Sequence, residues 1–216
     1  MARTPSVSDE AILAAAKAVM IRSGINGFSV TAVAEETGLS RAAIILRFKS
    51  TDTLKAIVLE AFVEQFIERL EALPKTPSGD SLLAIAAFIG NHAGSKSGSS
   101  AYFADYTKKV TNHDLIRLDY MRGAAMQHAI TCAMPDTKIE KVDAAALFRA
   151  HLSGCMLAWL ASDSNNAAEF LLKRTQEWLR LAGIPFTENA QVIEKAEPIT
   201  SAAASKKVTR KEKEPG

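Results

Sequence analysis

The sequence predicts an all-α fold of about nine helices, on three observations. Apolar residues recur at three- and four-residue spacing from Ser8 to Gly183, the period of a helix with one buried face. No stretch sustains the apolar/polar alternation, bounded by hairpin turns, that a half-buried strand needs. The breaks between periodic segments carry Ser, Asn, Gly and Pro, which cap and stop helices. At 216 residues, 48% apolar and 23% charged, the chain can bury a sizeable core, as one large domain or a small one fused to a larger one.

The first helix follows Pro5 and opens near Ser6 or Ser8, with Asp9 and Glu10 complementing its dipole. It buries Ile12, Leu13, Ala16, Val19 and Met20, and Gly24 and Gly27 end it. Ser29 caps a short helix over Val30 to Thr37, Gly38-Leu39-Ser40 is a turn, and Ser40 caps a second short helix to about Arg47. Ser50 then starts the most clearly amphipathic helix. Leu54, Ile57, Val58, Ala61, Phe62, Phe66, Ile67, Leu70 and Leu73 form its apolar stripe, and Glu60, Glu64, Glu68 and Glu71 its wet side.

Pro74 to Gly79 breaks that helix, and helices over about 80–93, 101–111 and 113–133 follow, with a loop at Gly94 to Ser100. The last two, about 138–162 and 166–182, are unusually apolar. The former reads as buried on most sides through Leu147, Phe148, Leu152, Cys155, Met156, Trp159 and Leu160; Phe170, Leu171, Trp178 and Leu179 mark the latter. Asn166 with Glu169 forms a capping-box-like start, and Gly183 with Pro185 a stop. Beyond Asn189 the sequence is aperiodic Ala, Lys, Glu and Pro, the composition of a disordered tail. The expected division is therefore 1–55, 56–188 and a basic tail over 189–216.

A formal net charge of +2 hides an uneven distribution. Residues 1–55 carry seven Lys/Arg against five Asp/Glu, residues 56–188 thirteen against fifteen, and the tail six against four. The surplus at the ends permits contact with nucleic acid near the N-terminus without demanding it. Cys132 and Cys155 lack CxxC spacing and a nearby histidine pair, so the expectation is free thiols, with no zinc site and no disulfide framework. His92, His113, His128 and His151 each lack the glutamate three residues earlier that a di-iron bundle requires. With no phosphate loop, nucleophile elbow or HExxH either, the expectation is no catalytic residue, no metal, no cofactor and no enzymatic activity. No apolar run reaches membrane-spanning length and no signal pattern opens the chain, so a cytoplasmic protein without a membrane partner is expected.

Two helices of about two turns, joined at a glycine and packed under a third, have the helix-turn-helix geometry that projects one short helix into a major groove. Val33, Ala34, Leu39, Ile44 and Phe48 are the small core that sets their angle, leaving Arg41, Ala42, Ile45 and Leu46 outward. The run Ile12-Leu13-Ala14-Ala15-Ala16, Gly24, Gly27-Phe28, Ser29 to Ala34, Thr37-Gly38-Leu39-Ser40, Phe48-Lys49-Ser50 and Leu54 resembles the N-terminal domain of TetR-family transcriptional regulators. The resemblance is gap-free over about a quarter of the chain; the remaining helices agree with the family only in number, order and length.

The resemblance implies an N-terminal DNA-binding domain followed by a larger helical domain that dimerises and holds a small ligand. Its partners would be double-stranded operator DNA, a small-molecule effector and a second copy of the chain, in a repressor released by an apolar or aromatic ligand. Position by position, Ser29 and Thr31 approach phosphates, Ser40, Arg41 and Ala42 enter the groove, and Ile45, Arg47, Lys49 and Thr51 complete the DNA-contacting set. The family usually has tyrosine where Ile45 stands, a small residue such as glycine at Ala42, and lysine at Thr51. Losing that hydroxyl and that ammonium removes two phosphate contacts, which implies a shallower salt dependence. The apolar Ala42, Ile45 and Leu46 suit thymine methyl groups, and Arg41 suits guanine.

For the ligand, the candidate lining is Phe62, Phe66, Phe88, His92, Tyr102, Phe103, Tyr106, Met121, Met126 and His151, apolar walls with a few polar handles. For the dimer, Cys155, Trp159, Phe170 and Trp178 on the last two helices are the candidate interface. A second reading stays open: a dimeric small-molecule-binding or protein-interaction module whose headpiece has weak or lost operator affinity.

Overall fold

In the computed structural model, residues 7–94, 96, 100 and 113–188 are described. Among them lie eight helices: α1 (Asp9–Gly27), α2 (Val30–Thr37), α3 (Arg41–Phe48), α4 (Thr51–Glu71), α5 (Gly79–His92), α6 (His113–Ala133), α7 (Lys141–Leu160) and α8 (Ala167–Ala182). The expected helix over 101–111 and the tail from Asn189 lie outside the described residues, as does most of the expected loop at 94–100.

Local side-chain chemistry starts most of these helices. The hydroxyls of Ser8, Ser29, Ser40, Ser50 and Ser78 each accept the backbone N–H three residues on, at 3.0–3.2 Å, and Asn166 Oδ1 does the same for Glu169. Each such cap contributes about 1 kcal/mol by satisfying a donor that the helix leaves unpaired. Gly38 and Gly183 end α2 and α8 in the left-handed conformation, at φ 66° and 71°. Gly24, at φ 71° and ψ 175°, breaks α1 without ending it, and one further turn runs to Gly27.

The buried apolar side chains fall into separate cores. Ile12, Ala16, Val19, Phe28, Val33, Ile44, Phe48, Leu54 and Val58 form the first, from α1 to the start of α4. Leu70, Leu82, Leu83, Ile85, Phe88, Ile130, Met134, Phe148, Leu152 and Leu179 belong to the second, from the end of α4 onward. A third, smaller cluster joins Cys155, Met156 and Trp159 of α7 to Ala167 and Leu171 at the start of α8. Helix α4 thus carries one end in each of the two larger cores.

Two glycines hold α5 against α8 and the turn after it. A Cβ on Gly90 would lie 2.3 Å from Ala168 Cα, and one on Gly79 would lie 2.4 Å from the Pro185 carbonyl oxygen. Asp80 adds polar contacts, accepting from the Thr187 N–H at 2.8 Å and its hydroxyl at 2.9 Å. Helix α7 differs from expectation on its outer face: Leu147 and Leu157 are 58% and 53% exposed, and Ala150 and Gly154 are exposed between them. Glu60, on the side of α4 expected to be wet, is half-buried and pairs with Arg117 of α6 at 2.7 Å.

Gly90→Ala is expected to destabilise the chain by about 1–3 kcal/mol, because backbone on backbone leaves the new methyl no room. Gly123→Ala on α6, whose Cβ would meet only the end of the Arg149 side chain at an ordinary 3.5 Å, is expected to stabilise it by about 0.5–1 kcal/mol through helix propensity. Melting temperatures of the pair check both; equal effects would mean that α5 and α8 are not in contact at Gly90.

Candidate functional site

Helix α3 is fastened by its inner side. Ile44 is fully buried and Phe48 nearly so in the first core, while the Ser40 cap fixes the start of the helix. The opposite side projects from the protein. Arg41 and Ala42 are exposed, and Leu46 is 85% exposed. Lys49 is exposed where the helix ends, so cations stand at both ends of a short apolar surface.

The remaining predicted positions divide. Ser40 and Thr31 are exposed and Thr51 is half-buried at the first position of α4. Ser29 is half-buried, its oxygen accepting the Ala32 N–H while its own hydroxyl hydrogen remains for an outside acceptor. Ile45 is half-buried and packs on the first core, so it offers only an edge outward. Arg47 turns the other way: its guanidinium donates to the Val7 carbonyl and reaches Asp9 at 3.3 Å. It ties α3 to the start of α1.

The backbone at Lys49 is unusual. Its φ is 68° with ψ −49°, and the Ser50 N–H donates to the Phe48 carbonyl across it at 2.8 Å. That is a γ-turn of the rare positive-φ kind, strained for any residue with a Cβ. Non-glycine residues pay this cost where the surroundings hold the turn, here between Phe48 in the core and the Ser50 cap of α4.

The predicted pocket residues among those described separate into four places. Phe66, Phe88 and His92 form one cluster: the two phenyl rings are 5.1 Å apart, and the imidazole lies 4.1 Å from Phe88 and 5.5 Å, edge-on, from Phe66. Met126 packs against the same core. Phe62, one turn before Phe66, packs instead against the first core. Met121 lies beside Arg117 on α6. His151 lies beside the Phe148–Trp178 ring pair, its centroid 6.1 and 5.8 Å from theirs, where α7 meets α8. Tyr102, Phe103 and Tyr106 lie outside the described residues.

His92 is the polar member of the first cluster. Its Nδ1 is 2.9 Å from the Phe88 carbonyl oxygen, and its Nε2 is buried with no hydrogen-bond partner among the described residues. Burial pushes its pKa down, the Phe88 carbonyl opposes that, and the Arg69 charge adds to it. At Cys155, burial chiefly raises the thiol pKa, so the contact with His151 at 3.5 Å does not make a reactive thiolate. Among the described residues no group of three His, Cys, Asp or Glu side chains is placed to hold a metal ion.

Of the expected dimer residues, Cys155 and Trp159 point into the interior of the bundle, 7% and 0% exposed, and Trp178 is half-buried on Phe148 at 4.9 Å. Phe170 is half-buried beneath the Arg174 guanidinium. The outward side of α7 is Leu147, Ala150, Gly154, Leu157 and Ala161, spaced by three and four. That spacing was available in the sequence. It was hidden because α7 is apolar all round, so composition does not tell the inner stripe from the outer.

Residues 12–56 match the model of the family described as bacterial regulatory proteins, tetR family. No curated protein sequence matches the chain. Among solved structures, the chain is similar to a transcriptional regulator from Rhodococcus sp. Rha1, at 21% identity and TM-score 0.62, over 83% of this chain and 99% of that one. It is also similar to the regulator FadR from Bacillus subtilis in complex with stearoyl-CoA, at 16% identity and TM-score 0.57, over 81% and 98%. A third is the multidrug binding protein EbrR complexed with proflavin, at 20% identity and TM-score 0.56, over 77% and 96%. At these identities the likeness is one of fold. Among the described residues no helix is long and apolar enough to cross a membrane.

Lys49→Gly is expected to raise stability by about 1 kcal/mol by relieving the positive φ, and to lower the salt dependence of DNA binding by about one phosphate contact. Lys49→Ala is expected to lose the same contact without the gain in stability. Denaturant midpoints and binding at two salt concentrations check both; a destabilised glycine variant would show that the turn is not strained.

Proposed function

We propose that this chain, which carries the N-terminal domain of the tetR family of bacterial regulatory proteins, is a ligand-responsive, homodimeric DNA-binding transcriptional regulator. Residues 1–55 read DNA and residues 56–188 dimerise and hold the ligand. Operator binding requires no catalytic group, and it puts the protein in the cytoplasm.

The observation that carries this reading is the outward projection of α3. Ile44 and Phe48 hold it on the first core, and Arg41, Ala42, Leu46 and Lys49 stand clear of the protein. In a major groove Arg41 meets a guanine edge, Ala42 and Leu46 meet thymine methyl groups, and Ser29, Thr31, Lys49 and Thr51 meet the backbone. Arg47, committed to Val7 and Asp9, acts by positioning α3.

The dimer forms through the outer side of α7. Leu147, Ala150, Gly154 and Leu157 offer small and apolar groups to the same face of a second copy, as an isologous interface requires. A dimer places two α3 helices on successive major grooves, about 34–36 Å apart. Ligand at the Phe66–Phe88–His92 cluster moves α4, whose other end carries Leu54 and Val58 of the DNA-reading core, and the spacing no longer fits. The regulator is thus a repressor released by a small apolar or aromatic molecule. The similar folds of FadR in complex with stearoyl-CoA and EbrR complexed with proflavin support a small molecule as effector.

The apolar surface of α3, with Leu46 85% exposed, also favours a second reading, a dimeric ligand-binding module with little operator affinity. Selection from a random duplex pool, followed by binding at two salt concentrations, separates the two. A regulator enriches one sequence; the module enriches none. Arg41→Ala is expected to lose about 1–3 kcal/mol at one base pair of that sequence, and equal losses on operator and random DNA would remove its base-reading role. Leu157→Glu is expected to give a folded monomer by sedimentation that binds operator weakly; an unchanged dimer would place the interface elsewhere.

A further inference from the structure

We propose that His92 Nε2 is the hydrogen-bond acceptor for the effector, which is therefore an uncharged ring compound bearing an O–H or N–H donor, such as a phenol. This rests on the regulator reading above and adds the chemistry that its effector must carry.

The tautomer follows from the backbone. Nδ1 lies 2.9 Å from the Phe88 carbonyl oxygen, one turn back on the same helix. A carbonyl only accepts, so Nδ1 carries the hydrogen and Nε2 of the neutral ring presents a lone pair alone. Burial, opposed by the Phe88 carbonyl and aided by the Arg69 charge, lowers the pKa of the ring and so favours its neutral form. Nε2 is buried, and no donor reaches it among the described residues. An enclosed acceptor without a donor is unfavourable, and a ligand donor would relieve it. A carboxylate, which only accepts, would face another lone pair; a plain hydrocarbon would leave the acceptor orphaned.

The surroundings select a ring. Phe66 stands edge-on to the imidazole at 87°, and Phe88 is tilted against it at 4.1 Å. An aromatic body entering here replaces ring contacts with ring contacts. The same place couples to DNA. His92 is two residues beyond Gly90, where α5 meets the backbone of α8, so α5 is fixed. Phe66 belongs to α4, the helix shared with the DNA-reading core. A ligand that parts Phe66 from His92 therefore displaces α4.

The test uses 2-naphthol and naphthalene, probes that differ only in the hydroxyl, on the full chain. Quenching of tryptophan fluorescence reads affinity, and retention of the selected DNA reads release. The parent is expected to bind 2-naphthol about tenfold more tightly than naphthalene, and 2-naphthol to weaken DNA binding. His92→Phe, which keeps a ring and removes the acceptor, is expected to bind the two probes alike. Equal binding by the parent, binding of neither probe, or a preference retained in His92→Phe overturns the proposal. Should that variant not fold, imidazole nitrogen NMR of the parent decides: the Nε2 resonance must be unprotonated and must shift with 2-naphthol but not with naphthalene. A chain that enriches one DNA sequence yet shows no hydroxyl preference loses only the His92 assignment. A chain that enriches none loses the regulator reading, whatever the probes do.

Discussion

The arrangement depends on one helix serving two cores. Leu54 and Val58 of α4 are fully buried among the first helices, and Leu70, four turns later, is buried among the last. At 1.5 Å per residue the helix is about 30 Å long, and tight packing at both ends makes it a rod rather than a tether. A displacement at Phe66 is therefore expected to be felt where α4 meets α3.

Against that rod, the DNA-reading surface is built with few charges. Arg41 and Lys49 flank an apolar middle, and Arg47 is spent on the start of α1. A surface of this kind gains little from counterion release and leans on shape and methyl contacts. The orientation of α3 then matters more than its charge, which accounts for the strained turn at Lys49: the short link from Phe48 to Ser50 leaves no slack between α3 and α4.

In the larger unit, α5 is the fixed element. Gly79 and Gly90 bring its backbone against the turn after α8 and the start of α8, and Asp80 adds a hydrogen-bonded tie to Thr187. The outer side of α7 exposes Leu147, Ala150, Gly154 and Leu157 beside Arg149 and Ser153. One side of the bundle is locked by these contacts, and the other is exposed.

The helix starts and stops were legible in the sequence because they are made locally. A serine or asparagine cap bonds three residues ahead, and Gly38 or Gly183 turns the chain through its own φ, so adjacent residues contain the whole interaction. The inner side of α3 was legible for the same reason, since Ile44 and Phe48 stand one turn apart beside a glycine turn. Tertiary structure decided what depends on distant partners. Arg47 finds its acceptors about forty residues away, and Phe62 and Phe66, neighbours on one stripe, go to different cores because α4 crosses between them. Helix α7 is apolar on every side, so only its neighbours determine that Trp159 faces inward and Leu157 outward. Periodicity reports that a helix has something to bury; which body it is buried against is a property of the assembled fold.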